Sequence, residues 1–327
     1  MKYRRLGATG PAVSAIGMGR GSQPVRYGEP LERDFNATIA RALDLGITLF
    51  DSSDAYWGAR HEVLLGRALK GKRERASIIT KFGNIDLPDG KKATNGSPEY
   101  IAQACDASLQ RLGVDAIDLY MMHRVDPNTP IEETIGAMAR LIERGKVRHI
   151  GICEAAPATL RRAHRTHPLA ALQTEYSLWC RDCEREILPV CRELGIAYIA
   201  YAPLGRGLLT GRIRTFDDLP STDRRRKHPR FKPENLAHNL ELVKQLEAMA
   251  VAKGVSSAQL ALAWLLAQGA DLVPIPGTNH VHNLELNVAA LDIPLSAHEL
   301  QRLDRLFVPG AGAGERYMAN VLKGVGL

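Results

Sequence analysis

The chain has 327 residues, with 43 Lys+Arg against 36 Asp+Glu for a formal charge of +7, and it is 45% hydrophobic and 24% charged. That balance excludes a disordered chain, and 29 Gly and 18 Pro without a strict period exclude a fibre. The length suits two ordinary domains or one α/β barrel of about 250 residues with insertions, so the pattern of elements has to decide.

The first residues are basic, but Gly7, Gly10 and Pro11 interrupt them before the apolar core of an export leader can form. Residues 2–14 read as a hairpin that turns through Leu6-Gly-Ala-Thr-Gly10. Apolar runs then alternate with helical periodicity to the end of the chain. The strand candidates are 15–19, 48–53, 77–82, 118–123, 149–153, 171–176, 197–202 and 272–275. The helical patterns cover 32–45, 60–70, 98–112, 131–144, 157–166, 184–194, 234–253 and 281–290. Near-continuous apolar strands alternating with helices signal a parallel sheet covered on both faces, and eight such units close a barrel. Ser97-Pro98 and Thr129-Pro130 carry helix-start signals, while Gly46, Gly113, Gly145 and Gly195 sit where helices need a left-handed exit. No linker interrupts the series. The expected fold is α/β, a single (β/α)8 TIM barrel over residues 1–327 with an N-terminal β-hairpin. An additional helix is expected near 256–268, and a C-terminal helical tail starts at Ser296. The run Gly310-Ala-Gly-Ala-Gly314 makes that tail a candidate mobile lip.

Several readings fall away. The longest apolar run, 260–267, is far short of the roughly 20 residues that cross a bilayer, so the expectation is a cytoplasmic protein with no membrane partner. An odd count of five cysteines points to reduced thiols. Cys180, Cys183 and Cys191, and likewise His164 and His167, have metal-like spacing but no second ligand pair, so no metal is expected. Gly17-Met-Gly19-Arg-Gly21 is not a dinucleotide fingerprint, because residues 23–30 intervene before any helix. The basic stretch Arg224-Arg-Arg-Lys227, with Arg230 and Lys232, reads as a solvated surface loop or a flap over a phosphorylated ligand. It lacks interleaved aromatics, so no nucleic-acid partner is expected.

The informative constellation lies at successive strand ends. Asp51 and Tyr56 flank the end of the second strand, Lys81 ends the third and His123 ends the fourth, so a barrel brings all four to its C-terminal mouth. A free phenol has a pKa of about 10, and a neighbouring ammonium should lower it and make Tyr56 a better proton donor. Asp51 would hold the lysine charged, and His123 would orient a carbonyl oxygen. Together these types form a proton-delivery site for carbonyl reduction.

At this point the chain resembles the aldo-keto reductases almost end to end, most nearly their bacterial, long-chain, single-domain branch. The resemblance rests on Tyr3-Arg-Arg-Leu-Gly7, Gly17-Met-Gly19, the Asp51/Tyr56/Lys81/His123 tetrad and Leu119-Tyr120 with His123-Arg-Val-Asp126. It continues through Gly145-Lys-Val-Arg148, Gln173-Thr-Glu-Tyr-Ser177, Tyr201-Ala-Pro-Leu-Gly-Arg-Gly207 and Ile275-Pro-Gly-Thr278. It implies NADPH-dependent reduction of a small-molecule aldehyde or ketone, with NADH possible as the cofactor and Tyr56 as the acid. By resemblance, Gln173 with Cys153 and Glu154 holds the nicotinamide carboxamide, and Tyr201 stacks on its ring. Leu204, Gly205, Arg206, Gly207 and Leu209 would bracket the pyrophosphate with backbone amides. Gly277, Thr278, Asn279, His280, Asn283 and Asn287 would reach the adenosine end.

The chain departs from the family's pattern in three places. Asn279 and His280 stand where related bacterial enzymes usually offer Lys-Arg, Cys153 where serine is common, and Trp57 where glycine is common. Met18, Trp57, Arg124 and Trp179 are the substrate-wall candidates, and aromatic walls favour a bulky or cyclic carbonyl over a small sugar. The alternatives are an NADH- or NAD-linked alcohol dehydrogenase on the same scaffold and a cofactor-sensing regulatory subunit.

Overall fold

Two short antiparallel strands, β1 (Tyr3–Arg5) and β2 (Ala12–Ser14), open the chain as the expected hairpin. Leu6 and Val13 beside them are fully buried against Leu49, Ile79, Leu119 and Val273, so the hairpin plugs the N-terminal end of the barrel. The computed structural model describes residues 1–21, 32–87 and 89–327, and the segment 23–30, which separates Gly21 from the first helical pattern, lies outside them.

The strands continue as β3 (Leu49–Asp51) and β4 (Ser77–Phe82), then the ribbon β5 (Asn84–Asp86) and β6 (Lys92–Thr94). They resume as β7 (Ile117–Met122), β8 (Val147–Cys153), β9 (Ala171–Glu175), β10 (Ala197–Tyr201) and β11 (Leu272–Pro274). Apart from the ribbon, β3 to β11 form one parallel sheet in chain order. The predicted first strand, 15–19, is not a continuous ladder. It is a staple between the sheet's two edges: Gly17 N donates to Pro274 O (2.9 Å), Met18 N to Leu49 O (2.8 Å) and Asp51 N to Met18 O (2.9 Å). Met18 bridges to Phe50 and Gly19 to Gly277. The seam needs bare backbone. A Cβ on Gly19 would lie 2.3 Å from Ile275 O, and one on Gly277 would lie 1.9 Å from Arg20 O. With this closure the sheet is the eight-unit barrel.

Around it run α1 (Glu32–Asp44), α2 (Arg60–Ala68), α3 (Pro98–Leu112), α4 (Ile131–Glu143), α5 (Pro157–Thr166) and α6 (Ile187–Leu194). Then come α7 (Pro233–Lys253), the expected extra helix α8 (Ser257–Leu266), α9 (Val281–Ala289), and the tail helices α10 (Ala297–Leu306) and α11 (Ala319–Leu322). Ser97 caps α3 as its position implies, accepting from Tyr100 N at 3.4 Å. Thr129 does not cap α4. Pro130 takes that place, and the Thr129 hydroxyl is turned to Asp126, donating to its Oδ2 at 2.9 Å in a charge-assisted bond instead of accepting from the helix's first amides. The helix predicted from 184 begins three residues later, after a tight turn at Asp182–Glu184. Among the described residues no single helix is both long and apolar enough to cross a membrane.

Because the seam leaves no room for a methyl group, Gly277→Ala should lower stability by about 1–3 kcal/mol, read as a fall in the urea or thermal midpoint. An unchanged midpoint would show that the seam can shift.

Candidate active site

Asp51 is the last residue of β3, and Lys81 lies next to the end of β4, so both side chains meet at the C-terminal mouth. Lys81 Nζ is 2.5 Å from Asp51 Oδ1 and donates also to Ser52 O at 2.8 Å; the lysine is 0% exposed. Gln173 Nε2, from β9, donates to the same Asp51 oxygen at 2.8 Å. Burial pulls the ammonium's pKa down, but Asp51 and Tyr56 outweigh it, and the pKa lies above its ordinary value. The lysine is therefore charged at neutral pH.

Tyr56 stands in the loop after β3, its ring centroid 5.1 Å from Lys81 Nζ and 5.8 Å from the His123 ring. The expected lowering of its pKa is not the net result. Burial pushes the phenol up, against the opposite pull of Lys81 and Arg20. The ammonium acts in the anticipated sense, but desolvation of a phenolate is the larger effect, and Tyr56 keeps its proton at neutral pH. His123 follows β7. Burial, then Lys81, Arg124 and Arg20, hold its pKa well below the usual imidazole range, so the ring is neutral. Its Nδ1 lies 3.1 Å from Ser53 Oγ, which has Asp54 Oδ1 at 3.3 Å and accepts from Ala55 N at 3.1 Å.

Two supporting residues escaped the sequence reading. His61 on α2 is buried, pairs through Nδ1 with Ser52 Oγ (2.8 Å) and meets the rings of Tyr56, Trp57 and Phe35 edge-on at 5.9, 4.8 and 5.5 Å. Burial drives its pKa down to about 3, so it is an uncharged wedge behind Tyr56. Ser53 is the other, and its place between two predicted residues was its only signal.

The cofactor candidates lie along the ends of β8, β9 and β10. Cys153 pairs in register with Gln173, and burial pushes its thiol up to about 12, leaving a weak donor. Glu154 holds a left-handed φ of 55°. Its carboxylate is taken up by protein groups: Tyr201 OH at 2.6 Å, Arg316 Nη2 at 2.5 Å and Glu175 N at 3.3 Å. Tyr201 OH also meets Tyr317 OH at 2.7 Å. Gly205, Arg206 and Gly207 follow one another at φ 57°, 57° and 94°, a bend that favours glycine, with Leu204 half-buried and Leu209 fully buried beneath it. Arg206 pairs with Glu175 at 2.9 Å. Past β11, the Thr278 hydroxyl accepts from His280 N at 3.1 Å, and α9 starts without a side-chain cap at His280. Asn279 lies at the barrel seam, where a Cβ on Gly21 would be 2.0 Å from its Oδ1. Asn283 accepts from Arg212 at 2.8 Å, and Asn287 is buried.

Of the wall candidates, Met18 and Trp179 are 4% and 6% exposed and sit in the outer core, so little of either reaches the mouth. Trp57 and Arg124 are half-buried. Three arginines of the basic loop are engaged internally, while Arg224 and Lys227 stay exposed. Arg225 pairs with Asp223 at 2.7 Å, Arg226 donates to the carbonyls of Phe216 and Leu219, and Arg230 lies 3.5 Å from Glu175. The five cysteines are buried free thiols, and among the described residues no group of three His, Cys, Asp or Glu could hold a metal.

Asp54 is held up to about 7, first by burial and then by Glu62, with Arg111 opposing. An unfolded Asp ionises near 3.8, so the folded state binds more protons between those values and this group's contribution to stability falls as pH rises from about 4 to about 7. Asp54→Asn should therefore gain stability relative to the parent by about 2 kcal/mol from pH 4 to pH 8, allowing for solvent screening. Urea midpoints at the two pH values test this, and equal differences at both would overturn it.

This constellation has counterparts of known class. A family model described as "Aldo/keto reductase family" matches residues 15–307. The chain is 45% identical over 317 residues to a probable aldo-keto reductase of Glycine max, covering 96% of this chain and 91% of that protein. It superposes on the glycerol dehydrogenase of Gluconobacter oxydans with a TM-score of 0.85 at 29% identity, over 94% of this chain and 96% of the other. An aldo-keto reductase from Klebsiella pneumoniae in complex with NADPH gives a TM-score of 0.75 at 26% identity, over 96% and 99% of the two chains. The chain thus belongs to the aldo/keto reductase family, and it is an oxidoreductase that acts on carbonyl compounds.

Proposed function

We propose that the chain reduces an aldehyde or ketone with NADPH, the proton coming from Tyr56. The observation that carries this reading is the buried Asp51–Lys81 ion pair set beneath the Tyr56 ring. The donor set fits a dinucleotide. The uncapped start of α9 offers amides and the positive end of a helix to a 2′-phosphate, where Asn279 and His280 bring no fixed charge. The left-handed bend at Gly205–Gly207 is a cradle that a Cβ would fill, one at Gly207 lying 3.1 Å from Arg225 Nη1. Cys153, Glu154 and Gln173 would edge the carboxamide, with Tyr201 beneath the ring. When bound, the reduced nicotinamide supplies a hydride to the carbonyl carbon.

The protein's own part is the proton and its surroundings. Tyr56 holds the proton at its phenolic oxygen and gives it to the carbonyl oxygen as negative charge develops there. Lys81 stabilises the phenolate left behind, and Asp51 keeps that ammonium in place. His123, neutral and engaged through Nδ1, has its other ring nitrogen for the substrate oxygen and orients it without competing as an acid.

With NADPH and a panel running from small aldehydes to bulky cyclic ketones, Tyr56→Phe should lose about 10²–10⁴-fold in kcat while still binding cofactor. Undiminished turnover in that variant would end the assignment. Since the Tyr56 pKa is raised and the His123 pKa depressed, kcat/KM for reduction should stay level from about pH 6 to pH 9 as far as these two groups control it. A fall below pH 7 that disappears in His123→Gln would show instead that the imidazole charges.

A further inference from the structure

Among the described residues, two guanidinium groups beside the reacting centre lack the carboxylate partners that their neighbours have. Around the mouth, Lys81 is matched by Asp51, Arg316 by Glu154, Arg206 and Arg230 by Glu175, and Arg225 by Asp223. Arg20 and Arg124 form no ion pair among the described residues. Arg20 follows the glycine seam, which fixes its backbone against Gly277, and its guanidinium lies 4.7 Å from the centroid of the Tyr56 ring. Arg124 follows His123 directly, and its one hydrogen bond among the described residues runs to the His123 carbonyl at 2.8 Å. Both cations are close enough to His123 to depress its pKa. Arg124 is half-buried, and the Glu154 carboxylate favours its charge through space while spending its own hydrogen bonds on Arg316 and Tyr201, so the Arg124 fork keeps donors for a ligand.

We propose that Arg20 and Arg124 form an anion subsite and that the carbonyl substrate carries a carboxylate or phosphate, which they hold while Tyr56 and His123 engage its carbonyl. A guanidinium is the side chain suited to such a group, since its planar fork matches two oxygens at once. The cofactor's own phosphates do not account for the pair. The bend proposed for the pyrophosphate has its own arginine, Arg206, already matched by Glu175, whereas Arg20 and Arg124 adjoin Tyr56 and His123. Arg224, exposed and within electrostatic reach of Arg20, adds to a positive approach that concentrates anions at the mouth. This deepens the reductase reading and rests on it.

The test compares matched substrates that differ in charge: 4-carboxybenzaldehyde against methyl 4-formylbenzoate, and glyceraldehyde 3-phosphate against glyceraldehyde. Each is assayed with saturating NADPH for the parent, Arg20→Gln and Arg124→Gln. The parent should prefer the charged member of at least one pair by about 10- to 100-fold in kcat/KM, less so at high salt. Each variant should erase most of that preference through KM for the charged substrate. Whichever pair shows the effect identifies carboxylate or phosphate as the source. Equal rates within both pairs, equal losses on charged and neutral members, or, in a second series with NADPH varied, losses confined to KM for NADPH would overturn the subsite. If no carbonyl compound is reduced, the reductase reading fails, and tryptophan fluorescence titration with 4-carboxybenzaldehyde and its ester decides the subsite alone. Tighter binding of the acid that is lost in both variants supports it, and no difference between acid and ester overturns it.

Discussion

The buried ion pair between Lys81 and Asp51 is the constraint around which the mouth of the barrel is organised. A lysine with no exposed surface must have its charge met, and Asp51 Oδ1 and Ser52 O meet it. The same Asp51 oxygen accepts from Gln173, so one carboxylate joins β3, β4 and β9 across the barrel. Removing one partner of such a pair leaves the other uncompensated, at a cost of about 3–5 kcal/mol in typical proteins. A site built this way is rigid before any ligand arrives, which is what proton delivery to a carbonyl oxygen requires.

The pair joins two adjacent strands, but its link to Gln173 crosses the barrel, and closure of the barrel depends on two backbones meeting at Gly19 and Gly277. The staple at 17–19 is short, yet Met18 exchanges hydrogen bonds with both flanks of Phe50 and so holds the strand that ends in Asp51. Seam and site are thus coupled through a few backbone bonds. Arg20 extends from the same seam, so its position over Tyr56 depends on closure as well.

A second charged network covers the opposite side of the mouth. The tail returns over the barrel so that Arg316 pairs with Glu154 and Tyr317 reaches Tyr201 OH, while Arg206 lies 4.8 Å from the centroid of the Tyr317 ring. Gly326 N bonds to Glu154 O, and Ala156 N to Leu327 O, so the chain's end is part of the site's wall. The glycine-rich run 310–314 suggests a lip, but nothing in it points to the arginine and tyrosine that come after it.

The barrel and the tetrad's convergence were legible in the sequence by itself. Strand and helix periods are local properties, and a residue at the end of a parallel strand in a closed barrel has only one rim on which to lie. Asp51, Lys81 and His123 needed no more than that. The tertiary structure decided what local pattern cannot express. It set the direction of the Tyr56 pKa, because desolvation depends on everything packed around the ring. It distinguished matched from unmatched arginines, because Glu154 and Arg316 lie 162 residues apart in the chain. It also made the first strand a staple, since backbone contact between Gly19 and Gly277 exists only once the two ends of the sheet have met.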